Sequence, residues 1–121
     1  MKSIITISIL FFTASFAFGQ TNNQSDSKIK EASFKVEGVC NMCKQRIEAA
    51  ALRTKGVKMA EWNKETQELK LVYHSKKTTE ENIHQAIAKD GHETSMVVAD
   101  STAYKKLPGC CKYKDGASCN H

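Results

Sequence analysis

Three stretches of the chain are predicted to be strands, and in the first and third of them apolar residues occupy every second position, as in strands that have one buried face. These stretches cover residues 32–36, 57–62 and 69–73. Their aromatic residues, Phe34, Trp62 and Tyr73, fall on the predicted inward side. Turn-forming residues between the second and third stretches predict that these two strands form a hairpin.

Two further segments have the spacing of amphipathic helices. In the first, residues separated by four, three and one positions share a face, and Gly56 ends the helix. Those residues are Cys43, Ile47, Ala50 and Ala51. In the second, Thr78 and Glu81 form a capping box at the start, and Asp90-Gly91 closes the helix. Its predicted buried face consists of Ile83, Ala86 and Ile87.

A last short strand is predicted at residues 96–98. The order strand, helix, strand, strand, helix, strand is typical of an α+β fold of the ferredoxin-like βαββαβ type, an antiparallel sheet with two helices on one face. Met59 and Met96 are predicted to lie in its core. His74, at a strand end, and His84, on the flank of a helix, are predicted to be surface residues.

The N-terminus has a different character. Lys2 precedes a mostly apolar run from Ile4 to Phe18, and Ala17-Phe18-Gly19 has the small-x-small form of a cleavage site. This is the pattern of a secretory signal peptide, too short to span a bilayer comfortably. We therefore expect a periplasmic or secreted protein that is not embedded in a membrane after cleavage.

Four segments follow from these patterns. They are a signal peptide at 1–19, a flexible leader at 20–30, a globular domain at 31–99 and a cysteine-rich C-terminal tail at 100–121. In the tail, a short helix is predicted from Asp100 or Ser101 to Lys106, before Leu107-Pro108-Gly109 interrupts it.

Charge and cysteine content narrow the function. The formal net charge is +5, and it falls to +4 when Lys2 is removed with the signal peptide. Basic and acidic residues are interspersed, so nucleic-acid binding is not predicted. The chain has five cysteines, an odd number, so internal disulfides cannot pair all of them.

The sequence Cys40-Asn41-Met42-Cys43 lies where the first strand meets the first helix. Two residues between the cysteines allow both sulfurs to reach one point. At the start of a helix, the unpaired amides and the helix dipole favour a thiolate, and Lys44 and Arg46 add positive charge. Thiolates select soft ions, so Cys40 and Cys43 are the predicted metal ligands.

Two alternatives use the same pair. In the first, Cys40 and Cys43 form a local disulfide with only a structural role. In the second, they are the redox centre of a thioredoxin-like thiol–disulfide oxidoreductase. The motif alone does not separate metal binding from redox chemistry. Redox domains of that type rely on a proline facing the cysteines, and the chain's one proline, Pro108, lies in the tail.

The cysteine motif and its surroundings together resemble the heavy-metal-associated domain family. The resemblance covers residues 32–99 and departs from the usual pattern in the shorter Gly38-Val39-Cys40 loop, where Val39 stands in place of a buried methionine. The matching residues are Glu37 to Cys43, Ile47-Glu48, Ala50, Gly56-Val57, Ala60, Trp62-Asn63, Leu71 to Tyr73 and Asp90 to His92.

The resemblance implies a role as well as a fold. Cys40 would be the exposed thiol that first meets the metal, and Cys43 would complete the pair. The cation would be Cu(I), with Hg(II) or Zn(II) as other possibilities, buffered or delivered by thiolate exchange. The exchange partner would be a metal-transporting ATPase or another metalloprotein, and no enzymatic activity is expected.

Several potential ligands lie outside this pair. The interpretations of His92 are a third ligand, a pH-sensitive gate and a solvated loop residue. Those of Met42 are a thioether ligand and an exposed spacer. In the tail, Cys110, Cys111, Cys119 and His121 form a second soft-metal site, fold over the first site, or include a disulfide from Cys110 or Cys111 to Cys119. The sequence leaves these alternatives open.

Overall fold

A computed structural model describes residues 28–116 of the chain. The predicted signal peptide, most of the predicted leader and the C-terminal residues Cys119 and His121 lie outside the described residues. The elements are β1 (Ile29–Lys35), α1 (Asn41–Arg53), β2 (Val57–Trp62), β3 (Glu68–His74), α2 (Glu80–Lys89) and α3 (Ser101–Lys105), followed by 3-10 turns at Gly109–Cys111 and Tyr113–Asp115. No helix within this part of the chain is long and apolar enough to cross a bilayer.

The three strands form one antiparallel sheet in the order β1-β3-β2. The alternation seen in the sequence fixes its register, because Phe34 of β1 and Trp62 of β2 both lie opposite Leu69 of β3. The β2–β3 hairpin forms as predicted. Its turn is closed by the Asn63 side chain, whose Oδ1 accepts hydrogen bonds from two amides in the turn.

Helices α1 and α2 cover one face of this sheet, and the residues between the two layers form the core. The aromatic residues predicted to point inward are buried, as is the predicted face of α1. The largest fully buried side chains belong to Trp62, Ile47, Leu69, Leu71, Ile83, Ile87, His84, His92, Val36, Cys43 and Cys111. The α+β ferredoxin-like prediction is therefore confirmed.

The ends of the helices follow the predicted signals with one change. At α2 the capping residue is Thr79 rather than Thr78, and its hydroxyl accepts a hydrogen bond from the amide of Asn82. Thr78 is buried instead. In the tail, Asp100 caps α3 by accepting from the amide of Ala103 at 2.8 Å, so the predicted short helix is present.

The last strand of the predicted βαββαβ order is reduced to a single bridge between Val36 and Thr94. The hydroxyl of Thr94 accepts hydrogen bonds from the amides of Met96 and Val97, and the Thr94 amide donates to the Val97 carbonyl. This closed turn uses the backbone groups that a strand would offer to a neighbour. Met96 and Val98 are consequently 64% and 71% exposed, and the prediction of a core Met96 is wrong.

Two other predictions of burial are reversed. Met59 is exposed, because it lies on the opposite side of β2 from the inward-facing Trp62. His84 is buried, because its ring stacks on Phe34 with 3.6 Å between ring centroids and its Nδ1 lies 2.6 Å from the hydroxyl oxygen of Thr94. The prediction that His84 is a surface residue is therefore wrong.

Candidate metal centre

Cys40 and Cys43 occupy the predicted junction between a strand and a helix. Cys40 is the N-cap of α1, and its sulfur accepts a hydrogen bond from the amide of Cys43 at 3.4 Å. The amide of Lys44 donates to the Cys40 carbonyl and completes the first helical turn. This geometry brings the two sulfur atoms to 3.3 Å from each other.

The loop that carries Cys40 rests on the indole of Trp62. A Cβ atom added to Gly38 would lie 2.9 Å from the ring and 3.1 Å from the Cβ of Cys43, so only glycine fits without displacement. The Trp62 Nε1 donates to the Val36 carbonyl, and the Gln67 side-chain amide donates to the Gly38 carbonyl at 2.7 Å. Val39 packs against the core, as expected for a residue in the place of a buried methionine.

The C-terminal tail brings two more cysteines to this pair. The sulfur of Cys111 lies 3.8 Å from that of Cys40, and the carbonyl oxygen of Cys110 lies 3.5 Å from the Cys40 sulfur. The sulfurs of Cys40, Cys110 and Cys111 all lie within 4.8 Å of one another. Of the alternatives left open by the sequence, the tail therefore folds over the first site. The alternative of a disulfide to Cys119 involves a residue outside the described part of the chain.

This contact buries the site. Cys40 is 2% exposed, and Cys43 and Cys111 are 0% exposed. The expectation that Cys40 is an exposed thiol is thus wrong, and its part as the first thiol to meet the metal stays a prediction. Cys110, with intermediate exposure, is the most accessible of the four described cysteines.

The electrostatic surroundings of Cys43 also differ from the expectation. Burial raises the pKa of the Cys43 thiol, although contacts with the backbone of Val39 and the side chain of Cys111 act in the opposite direction. Burial likewise raises the pKa of Cys111. The ammonium of Lys44 is bound to the Glu48 carboxylate and the Trp62 carbonyl, so its charge is compensated. In the metal-free protein, Cys43 is accordingly held as a thiol.

His92 is fully buried, so it is not a solvated loop histidine. Its Nδ1 donates to the carbonyl of Glu37 at 2.9 Å, because a carbonyl can only accept. Burial lowers the pKa of His92, which favours the neutral ring. The other nitrogen, Nε2, is buried without a hydrogen-bond partner among the described residues. His92 does not belong to the group of three sulfurs that lie within 4.8 Å of one another.

Met42, between the two cysteines, is 45% exposed, as expected for a spacer. Its sulfur nevertheless lies 3.6 Å from the sulfur of Cys110. The thioether therefore sits at the outer edge of the sulfur cluster, next to its most accessible thiol.

Comparison with known proteins identifies the family of this chain. Residues 33–93 match the model of the heavy-metal-associated domain. The chain belongs to the heavy-metal-associated domain family. The match contains Cys40 and Cys43 and ends before the tail. Cys110 and Cys111 therefore lie outside the residues that match the family.

Individual relatives agree with this assignment. The chain is 35% identical over 60 residues to the copper chaperone CopZ of Staphylococcus epidermidis, covering 49% of this chain and 88% of that protein. Among solved structures, the CopZ metallochaperone superposes with a TM-score of 0.52 and 27% identity, over 54% of this chain and 98% of that one. The N-terminal domain of a potential copper-translocating P-type ATPase from Bacillus subtilis, in its Cu(I)-loaded state, gives the same TM-score and identity over 55% and 84%.

Sequence reasoning did not identify Tyr113, which holds the tail in place. Its hydroxyl donates to the Gly91 carbonyl and accepts from the Glu93 amide, both at 2.9 Å. The available signal was the run Leu107 to Tyr113, in which an apolar residue and an aromatic residue flank the adjacent cysteines.

Proposed function

We propose that this protein binds a soft heavy-metal cation through Cys40 and Cys43 and buffers it or delivers it outside the cytoplasm. The observation that carries the proposal is the convergence of the two sulfurs, 3.3 Å apart at the N-terminus of α1, in a member of the heavy-metal-associated domain family. Paired thiols are soft ligands, and soft ligands select soft cations.

Cu(I) is the preferred cargo, ahead of Hg(II) and Zn(II). The support comes from the relatives, because the chaperone of Staphylococcus epidermidis and the ATPase domain from Bacillus subtilis are both named for copper. Thioether and thiolate ligands also favour Cu(I), and Met42 adds a thioether sulfur near the thiols.

The proposed exchange needs only ligand substitution. Each thiol that binds the cation releases one proton, and an incoming thiolate of the acceptor replaces one protein sulfur at a time. The acceptor is a metal-transporting ATPase or another metalloprotein, which the likeness to an ATPase domain supports. No nucleophile or general base takes part, so we propose a binding protein rather than an enzyme.

The proposal that the protein acts outside the cytoplasm rests on the signal-peptide pattern, which consists of the apolar run from Ile4 to Phe18 and a small-x-small cleavage site. Expression of the full chain in a Gram-negative host, followed by fractionation and N-terminal sequencing, tests this part. We expect a periplasmic protein that begins at Gln20. Recovery of the uncleaved chain in the cytoplasm or the membrane would contradict it.

Anaerobic titration with Cu(I) against a competing chelator tests metal binding. The variant Cys40→Ser/Cys43→Ala keeps a good N-cap at position 40 and leaves an apolar group at the buried position 43. We expect this variant to lose high-affinity binding while circular dichroism shows an intact fold. Binding as tight as that of the wild type would reject the site, and catalytic reduction of insulin by the metal-free protein would favour the oxidoreductase instead.

A further inference from the structure

We infer that Cys110 and Cys111 are also ligands, so that the C-terminal tail converts a two-thiol site into a closed site of at least three thiolates. The inference rests on the proposed binding of a soft cation at Cys40 and Cys43, and it assigns ligands outside residues 33–93, which match the family. The ligand class is a soft cation that accepts three or four sulfurs, with Cu(I) as the probe.

One of the distances between sulfurs already equals that between two ligands of a shared ion, and the others are near it. For tetrahedral metal–sulfur bonds of about 2.3 Å, the sulfurs are about 3.8 Å apart. The sulfurs of Cys40 and Cys111 are already 3.8 Å apart, and those of Cys40 and Cys43 are 3.3 Å apart. The side chain of Cys111 also contacts that of Cys43. Cys40 and Cys111 therefore form one group of three sulfurs with Cys110, and each of the two also contacts Cys43.

The described part of the tail is docked on both sides of these thiols. Leu107 is 4% exposed within the hydrophobic core, just before the two cysteines. After them, Tyr113 makes two hydrogen bonds to the loop that follows α2. The amide of Cys111 donates to the Pro108 carbonyl at 2.8 Å and holds the turn that presents the adjacent thiols. The fold thus fixes the adjacent cysteines from both sides.

The two tail cysteines have different positions and therefore different parts in binding. Cys111 is fully buried against Cys40 and completes the inner set of ligands. Cys110 lies at the outer edge, where its sulfur is 3.6 Å from that of the exposed Met42. Cys110 and Met42 therefore form the entry point for the cation, the part that the family resemblance implies for Cys40.

The test uses the full mature chain loaded anaerobically with one equivalent of Cu(I). X-ray absorption at the copper edge counts the sulfurs, and chelator competition gives the affinity. We expect three or four sulfurs for the wild type and about two for Cys110→Ser/Cys111→Ala. The affinity of this variant should be at least about tenfold weaker, since the loss of a ligand should exceed the effect of losing its supporting contacts. Gly109→Ala is the control, because it changes the tail next to the cysteines without a contact within 4 Å of the added Cβ, and it should retain the wild-type values.

A second measurement does not depend on a variant. Alkylation of Cys110 in the wild type, followed by mass spectrometry, should slow at least about tenfold when Cu(I) is added, because a metal-bound thiolate is not free to react. A copper site with two sulfurs in the wild type, or an unchanged alkylation rate, would overturn the role of the tail while leaving the Cys40–Cys43 site standing. An equal loss in Gly109→Ala would also overturn it. A different result would reject the proposed function itself. In that case the variant Cys40→Ser/Cys43→Ala would bind Cu(I) as tightly as the wild type.

Discussion

The ring of Tyr113 stacks on the ring of His92, with 5.6 Å between centroids and 23° between planes. This contact joins the tail to the loop that follows α2. Burial raises the pKa of Tyr113 to about 12, so its hydroxyl keeps its proton at physiological pH and goes on donating to the Gly91 carbonyl. Tyr113 therefore attaches the part of the tail beyond the cysteines to this loop.

Substitution Tyr113→Phe should loosen the tail while keeping the stacked ring. The change removes the two hydrogen bonds to Gly91 and Glu93, each worth about 1 kcal/mol in a folded protein. We expect faster alkylation of Cys111 in the metal-free protein, measured by mass spectrometry, together with a small loss in the free energy of unfolding. Tyr104→Phe is the control, because its hydroxyl accepts one bond from the exposed amide of Lys114. Equal protection of Cys111 in all three proteins would show that Tyr113 does not hold the tail.

Substitution Gly38→Ala should destabilise the metal loop. The added methyl group would lie 2.9 Å from the Trp62 ring and 3.1 Å from the Cβ of Cys43, and overpacking of this kind costs about 1–3 kcal/mol. Urea unfolding should show this loss, and Cu(I) affinity should fall with it. Gly109→Ala is a matched control, because no atom lies within 4 Å of its added Cβ. Equal stability of the two variants would contradict the packing of Gly38 against the indole.

Metal affinity should rise with pH. Burial raises the pKa of the Cys43 thiol, so the metal-free site carries its proton near neutral pH, and binding must release it. Each thiol that loses its proton on binding increases the apparent affinity about tenfold per pH unit below its pKa. Chelator competition between pH 6 and 8 measures this slope. A flat profile would mean that the thiols are already ionised in the metal-free protein.

Stability should fall in mild acid because of His84. Burial lowers the pKa of this ring, so the folded protein holds it neutral where the unfolded chain protonates it. The stabilisation is present above the unfolded pKa of about 6.5 and is lost as the pH falls through the lower folded value. Urea unfolding between pH 7.5 and 5 should show the loss, and His84→Phe should have a shallower dependence. Burial also lowers the pKa of His92, so part of the slope should remain.

The elements that the sequence predicts well are those set by local periodicity. Alternation along β3 and the helical spacing of Cys43 and Ile47 specify which faces are buried, and the structure has the same faces. The Cys-x-x-Cys spacing at a strand–helix junction likewise predicts the convergence of the two sulfurs. These features depend on neighbours within a few residues, which is the distance over which pattern analysis is informative.

The features that were missed depend on distant partners. His84 is buried because Phe34 and Thr94 provide a stacking surface and a hydrogen bond, and neither follows from the helix pattern around it. The strand predicted at 96–98 is lost to a turn closed by the Thr94 hydroxyl. The burial of Cys40 depends on a tail that packs against it from 71 positions along the chain.

That separation has a thermodynamic consequence for the cargo. A cation that bridges Cys40 and Cys111 would act as a removable cross-link, closing a loop of 71 residues in the unfolded ensemble. By the chain-entropy relation used for disulfides, such a closure lowers the entropy of the unfolded state and stabilises the folded state by about 4 kcal/mol. A chelator that strips the cation would then lower the melting temperature of the whole domain as well as emptying one site. Metal occupancy and resistance to unfolding would rise and fall together.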